Sequence, residues 1–399
     1  MLSKPGSPSL ILFAGGMLSF APISTDIFIP AVPGLVSDFD TTVPMVQLTL
    51  SLYLLAFGAA QLFYGPLADR FGRKPTILAG IVIYIAGCAA CLAAVNIEML
   101  IAARVLQATG AAFGQLLGRA VIRDLHTPQE SARVLAYATM IMGATSLFVP
   151  TIGALVTVYL GWRLVFALLI VYALVYLALV GLGFRESVPV KAPDAIQPRQ
   201  MMINYASLLR ERNFLGFTLS ITCMFGFLFT FLSGSPFVFI EVYEVPTTHF
   251  GLIFAAMAGS FTLANALMGR IGARLPHDAV YRIAAFAALA SALMGFVLSA
   301  TGVGTVATQV AAMSALSFAM GFMVPLAFAG ALAPHPRIAG TASTLIGFIQ
   351  GVFAAAMGVL VGVLYDGTDL PMFTLIALLV AGGVGSYLAI RPQPAGATP

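Results

Sequence analysis

Two residues in this chain carry ionisable groups where such groups are costly. Asp26 is the one acid set well inside a long apolar segment, and Arg104 is a guanidinium within another. A carboxylate at membrane depth costs about 2.5–3.5 kcal/mol on insertion scales, so an acid retained there points to work that needs a charge or a proton. Burial favours the neutral carboxyl, whereas a nearby guanidinium favours the carboxylate. The pair can therefore bind and release a proton as the distance between them changes, or else form a static ion pair. Other chemistries find little support. Cys88 and Cys91 form a C-x-x-C spacing within an Ala- and Leu-rich run, where they read as small packing residues, and Cys223 stands alone. His126, His249, His277 and His335 are scattered without ligand spacing, so no metal is expected. No G-x-x-x-x-G-K-[ST] loop is present, so neither ATP hydrolysis nor another cofactor is expected. An enzyme would need a clustered catalytic set, and Asp26 has none.

The elements that position these residues follow from composition. Of 399 residues, 60% are apolar and only 9% charged, with a mean hydropathy of +0.99; soluble domains average about 25% charged. Each crossing of the hydrocarbon takes about 20 apolar residues, and the runs lack the strict alternation of a barrel strand. Twelve spanning helices are expected, approximately at 9–30, 44–66, 76–95, 98–120, 132–160, 163–183, 213–240, 249–269, 281–300, 305–331, 339–364 and 370–390. The long polar interruption between Phe184 and Arg212, with Pro189, Pro193 and Pro198, falls at mid-chain. It divides the chain into a six-helix bundle at 1–183, a linker at 184–212 and a second bundle at 213–399.

Charge placement gives the expected orientation. With a cytoplasmic N-terminus, Lys4, Arg70, Arg73, Lys74, Arg123, Arg133, Arg185, Lys191, Arg199, Arg210, Arg212, Arg270, Arg274, Arg282, Arg337 and Arg391 fall on one side, and Arg163 alone on the other. This positive-inside asymmetry places both termini in the cytoplasm and accounts for the net charge of +4 without a nucleic-acid partner. Lys4 followed by an apolar run imitates a secretory signal, but no small-x-small cleavage site precedes Asp26, so the segment is expected to remain as the first span.

The second and third spans are joined by Gly65-Pro66-Leu67-Ala68-Asp69-Arg70-Phe71-Gly72-Arg73-Lys74-Pro75. Its glycines suit a tight turn with close backbone approach, and Asp69 suits a place opposite a helix N-terminus. Two hundred residues later Gly269-Arg270-Ile271-Gly272-Ala273-Arg274 repeats the R-x-G-x-[KR] portion, with Gly269 where the first copy has Asp69. Such a parallel repeat of two halves is one of the architectures of membrane carriers.

The segment from Gly65 to Lys74 resembles motif A of the major facilitator superfamily, and the resemblance extends over all twelve spans. It implies a charge relay at the cytoplasmic gate built from Asp69 and Arg73, with Asp124 as acidic partner and Gly65, Arg70 and Gly72 also counted in the gate. Arg104-Val105-Leu106-Gln107-Ala108-Thr109-Gly110 resembles motif B, whose arginine the family uses in proton coupling; Ala108 stands where glycine is usual. Gly143 and Pro150-Thr151-Ile152-Gly153-Ala154 resemble the antiporter motif C, departing at Val149 and Ala154. Asp26-Ile27-Phe28-Ile29-Pro30, followed by Gln47 to Tyr53, is similar to the Bcr/CflA drug-efflux group, as is Ile338 to Ser343. That group exports chloramphenicol, florfenicol and bicyclomycin.

These readings converge on an all-α carrier of the major facilitator fold, in a bacterial inner membrane. The expected function is proton-coupled export of small, mainly neutral amphipathic drugs, with export of an endogenous metabolite or siderophore as the alternative. Asp26 and Arg104 are expected to couple protons and to touch substrate, with Tyr53, Phe57, Phe113, Phe225 and Phe229 as candidate aromatic walls. Gly143, Pro150 and Gly153 join the gate. The expected partners are the drug, protons and the bilayer, and the protein is expected to be monomeric.

Overall fold

The computed structural model describes residues 7–187, 203, 205–271, 276–334 and 339–390. Among them, twelve helices are long and apolar enough to cross a membrane. They are α1 (Pro8–Ala31), α2 (Val43–Phe71), α3 (Arg73–Leu92), α4 (Ile97–Leu125), α5 (Pro128–Leu160), α6 (Arg163–Gly183), α7 (Arg212–Val242), α8 (Thr247–Met268), α9 (Asp278–Ala300), α10 (Val306–Leu332), α11 (Ala342–Leu364) and α12 (Leu370–Ala389). Most of the 184–212 linker, the Gly272–Arg274 part of the second R-x-G-x-[KR] copy, and Ile338 lie outside the described residues.

Local chemistry sets where the helices begin. The Ser7 hydroxyl accepts from the Leu10 N–H with Pro8 in the first turn, and Asn96 accepts from the Met99 N–H. Such caps satisfy N–H groups that have no partner within the helix. Thr127 and Glu130 form a reciprocal capping box that starts α5. The Thr127 N–H and hydroxyl hold the exposed Glu130 carboxyl below its ordinary pKa.

Two large apolar cores form, one mostly in each half, with two smaller clusters beside them. Phe20 centres the first: its ring lies 5.1 Å from Tyr84, 4.9 Å from Phe113 and 4.8 Å from Tyr172. The second gathers Phe227, Phe231, Phe250, Tyr281, Met313 and Phe373. Within the first half α3 and α4 touch backbone to backbone, since a Cβ on Gly110 would stand 2.5 Å from the Tyr84 Cα. That contact fixes the helix bearing Arg104 against its neighbour.

Between the halves α2 runs along α11 and α5 along α8. The α2–α11 seam is made of small residues: a Cβ on Gly58 would meet the Gly351 Cα at 3.6 Å, Gly358 lies on Ser51, and Gly362 lies on Gln47. The Gln47 amide also donates to the Ser233 carbonyl of α7 over 2.6 Å. On the other seam Gly251 of α8 packs onto Thr151 of α5.

The expected glycine-rich turn between α2 and α3 is shorter than its sequence suggests. Helix α2 continues through Gly65 to Phe71, and the whole reversal occurs at Gly72, with φ 109° and ψ 159°. Only glycine adopts that conformation without strain. Gly65 is helical and meets nothing closer than Leu116 at 3.6 Å, so it provides neither turn nor close approach.

Candidate functional site

Arg104 is completely buried. Its guanidinium lies between two rings, 4.2 Å from the Tyr53 centroid and 4.7 Å from that of Phe28. Nη1 donates to the Gln107 Oε1 at 2.6 Å and the Ser24 carbonyl at 3.1 Å, and Nε donates to the Thr49 carbonyl at 3.4 Å. Nη2 is buried with no partner. The cation is thus held by ring faces and neutral oxygens from α1, α2 and α4, which stabilise charge without neutralising it.

Asp26 is 8% exposed at the end of the α-helical part of α1. The Thr25 hydroxyl donates to its Oδ1 at 3.3 Å, and the Ser146 side chain of α5 is within hydrogen-bonding reach. Asp26 and Arg104 form no ion pair, which excludes the static pair as a description of this state. The reason is geometric. The aspartate turns toward α5, while the arginine is stacked under Tyr53 and Phe28 on the α2 side. Charge complementarity along the chain pairs the two residues, and only packing sets their separation.

The aromatic candidates divide. Tyr53 is fully buried as the platform for Arg104, and Phe113 is fully buried against Phe20 and Gly80, so neither ring faces an open cavity here. Phe57, Phe225 and Phe229 are half-buried. Phe225 and Phe229 stack at 6.4 Å on α7, and Phe229 packs against both cores, which places it between the halves.

At the Gly72 turn, Arg73 donates to Asp69 Oδ1 at 2.6 Å and, from Nε, to Asp124 Oδ2 at 3.0 Å. The N-terminus of α3 is occupied by a different acid from the one expected. Glu186, just past α6, accepts from the Arg73 N–H at 2.9 Å and the Lys74 N–H at 3.1 Å, while Asp69 faces the Arg73 side chain instead. Lys74 donates to the Gly181 carbonyl and Ser187 to Asp124, so the end of α6 is tied into the cluster. Glu186 carries no local signal in the sequence beyond being an acid in a polar segment. Arg70 extends outward over the Phe71 ring.

Gly153 of α5 packs onto the Ile27 carbonyl, next to Asp26, and any side chain there would force α1 and α5 apart. Pro150 lies inside α5 and leaves the Ser146 carbonyl without its α-helical donor. Gly143 has only Thr262 nearby, at 3.9 Å. Among the described residues no group of three or more His, Cys, Asp or Glu side chains is placed to hold a metal. A groove of about 610 Å³ between α8, α9 and α10, lined by Ile283, Ala287, Ser314 and Phe318, lies in the second half, away from both Asp26 and Arg104.

The Major Facilitator Superfamily profile matches residues 12–359. The chain belongs to that superfamily. A bicyclomycin resistance protein homolog of Haemophilus influenzae is 27% identical, over 97% of each chain. A chloramphenicol resistance protein of Pseudomonas aeruginosa is 29% identical over 86% of this chain and 80% of its own. The xylose transporter XylE of Escherichia coli superposes with a TM-score of 0.73 over 98% of both chains at 14% identity, a likeness of fold. This superfamily member is therefore an all-helical membrane transporter and not an enzyme, with drug-resistance proteins among its relatives.

Proposed function

We propose that this carrier exports small, mainly neutral amphipathic compounds, antibiotics among them, in exchange for protons. The observation that carries the reading is the separation of Asp26 from Arg104: an acid buried at membrane depth with hydroxyl partners and no counter-ion, close to a buried cation with no acid. Asp26 can accept a proton from one side and lose it when a conformational change brings it toward the unpartnered Nη2 of Arg104. One proton crossing ~100 mV supplies about 2.3 kcal/mol, before any pH gradient is added.

The charge asymmetry supports a cytoplasmic place for both termini and for the Asp69–Arg73–Asp124 cluster. The opposite ends of the halves are held together by the Gln47–Ser233 bond and by Gly362 against Gln47. Opening toward the exterior must break these contacts, while the Arg73 cluster holds α2, α3, α4 and α6 as one body. The drug-resistance names among the relatives support the substrate class, as does a site with about zero net charge when Asp26 is ionised, which demands no counter-charge from its ligand.

The test uses purified protein in proteoliposomes loaded with a pH dye. Addition of chloramphenicol to the proper side should release protons in proportion to drug moved, and an imposed pH gradient should drive accumulation. Drug movement with no proton flux, or none with any neutral antibiotic, overturns the reading. Export of a metabolite on the same proton cycle remains the competing reading, and would show as proton release with a cell extract and none with drugs.

A further inference from the structure

Besides Asn213 in the first turn of α7, three side-chain amides lie within the described spans of the second half, and each needs partners at a depth where water is scarce. Asn265 donates to the Phe261 carbonyl of its own helix. Gln309 donates to the Gly295 carbonyl at 3.2 Å and approaches Asp369 at 3.4 Å, in a cluster completed by Tyr243 and Ser299. Gln350 differs in which atom is left over: it is 6% exposed and its donor, Nε2, has no partner, whereas in Gln309 the unpartnered atom is the acceptor Oε1.

Helix geometry shows where Gln350 points. On α11 the residues Gly351, Gly358 and Gly362 face α2, whereas Phe353 packs on Gly226 and Val361 on Gly234 of α7. At about 100° per residue, Gln350 falls between Phe353 and Val361, on the face that α11 turns to α7. One turn before Phe353, it is level with Thr222 of α7, whose hydroxyl is also buried and unpartnered. On α7, Thr222, Phe225 and Phe229 occupy neighbouring positions of one helical face, so the amide stands at the polar end of the aromatic wall.

We propose that Gln350 is a substrate-binding residue whose amide donates to a neutral acceptor oxygen, such as an amide carbonyl, nitro or sulfonyl group, on a compound stacked against Phe225 and Phe229. This rests on the drug-export reading and narrows the substrate to neutral molecules that pair an aromatic ring with an acceptor. A cationic ligand without an acceptor gains nothing from the amide. A buried polar group left unmade in the empty carrier is costly, and the ligand removes that cost on binding. Sites built to bond a polar group discriminate strongly against analogues that lack it.

The experiment compares wild-type protein with Gln350→Leu, matched in size, by tryptophan-quenching affinity and vesicle transport. The probes are chloramphenicol and an analogue lacking its acceptor groups on the ring and side chain. Wild type should prefer chloramphenicol by about tenfold, and Gln350→Leu should lose that preference by weakening chloramphenicol alone. The ligand-free variant should melt at the same temperature or higher, because a buried Nε2 without a partner adds no hydrogen bond to the fold. Equal loss for both probes, no loss for either, or a lowered melting temperature overturns the assignment and leaves the export reading intact. Binding of neither probe to wild type overturns both.

Discussion

The two halves share a scaffold and differ in chemistry. Ser24 and Tyr84 join α1 to α3 through a 2.6 Å hydroxyl contact, and Ser220 and Tyr281 join α7 to α9 through one of 2.5 Å. Each pair is buried and clasps the first helix of its half to the third. Around the first clasp lies the Arg104 guanidinium, with Asp26 two residues beyond Ser24. Around the second no charged side chain is buried among the described residues; Ser220 also donates to the Gly383 carbonyl, and the Tyr281 ring lies tilted at 3.9 Å from that of Tyr387, which in turn bonds Asp278. Among the described residues the buried charged side chains, Asp26, Arg73 and Arg104, thus all lie in the first copy of the repeated architecture. On the proposed proton exchange, a single carboxyl in one half would report to the seam that both halves share.

Substitutions can break that contrast, beginning with the largest effect. Asp26→Asn keeps the shape of the side chain and removes its proton site, so pH-driven drug accumulation should vanish while insertion and melting temperature stay close to wild type. Proton-coupled accumulation persisting in Asp26→Asn would locate the coupling elsewhere. Next comes Arg104→Lys, which retains the charge but loses the flat face held between Tyr53 and Phe28 and the fork that reaches Gln107 and Ser24. Transport should fall by about tenfold or more, given that such desolvated contacts are worth about 2 kcal/mol; full activity would mean that charge alone suffices.

Asp69→Asn should act more mildly and at a distance from substrate. It removes one of two carboxylates on Arg73 while Asp124 remains, and Asp69 is about half exposed, so the change is of order 1 kcal/mol or less. Cysteine labelling at the two faces should show a several-fold shift in the populations of the two orientations with substrate affinity unchanged. Identical labelling of both faces would remove the cluster from the gate. The smallest effect belongs to the second clasp. Tyr281→Phe deletes a hydroxyl that bonds Ser220, so it should cost about 1 kcal/mol of stability and leave coupling and pH dependence alone. A changed proton stoichiometry in Tyr281→Phe would show that the second half also titrates.

The span count and the burial of Asp26 and Arg104 were legible in sequence because apolar runs report helices directly and charges within them are rare. The relation between those two residues was not. Tyr53 captures the guanidinium from a helix 50 residues away, and Ser146 meets the aspartate from another 120 residues away; such pairings are settled by packing and leave no periodic trace. Glu186 escaped notice for the same reason: its role depends on α6 ending beside α3. Motif spacing was misleading at Gly65, whose place in a glycine-bearing segment suggested a turn that Gly72 makes alone. The buried fates of Tyr53 and Phe113 show the limit of reading aromatic residues at helical spacing, since a ring in a core and a ring on a wall look alike until their neighbours are known.

The glycines along α11 have a mechanical consequence. Where Gly351 faces Gly58 and Gly358 faces Ser51, the two halves meet through backbone and short stubs, without interlocked side chains that must change rotamer before the surfaces separate. Parting this seam resembles lifting one smooth plate from another, and the resistance concentrates in the few polar attachments near Gln47. The opening rate should then depend little on temperature compared with a seam of interdigitated leucines, and replacing a single one of these glycines by leucine should act as a wedge, holding the plates apart.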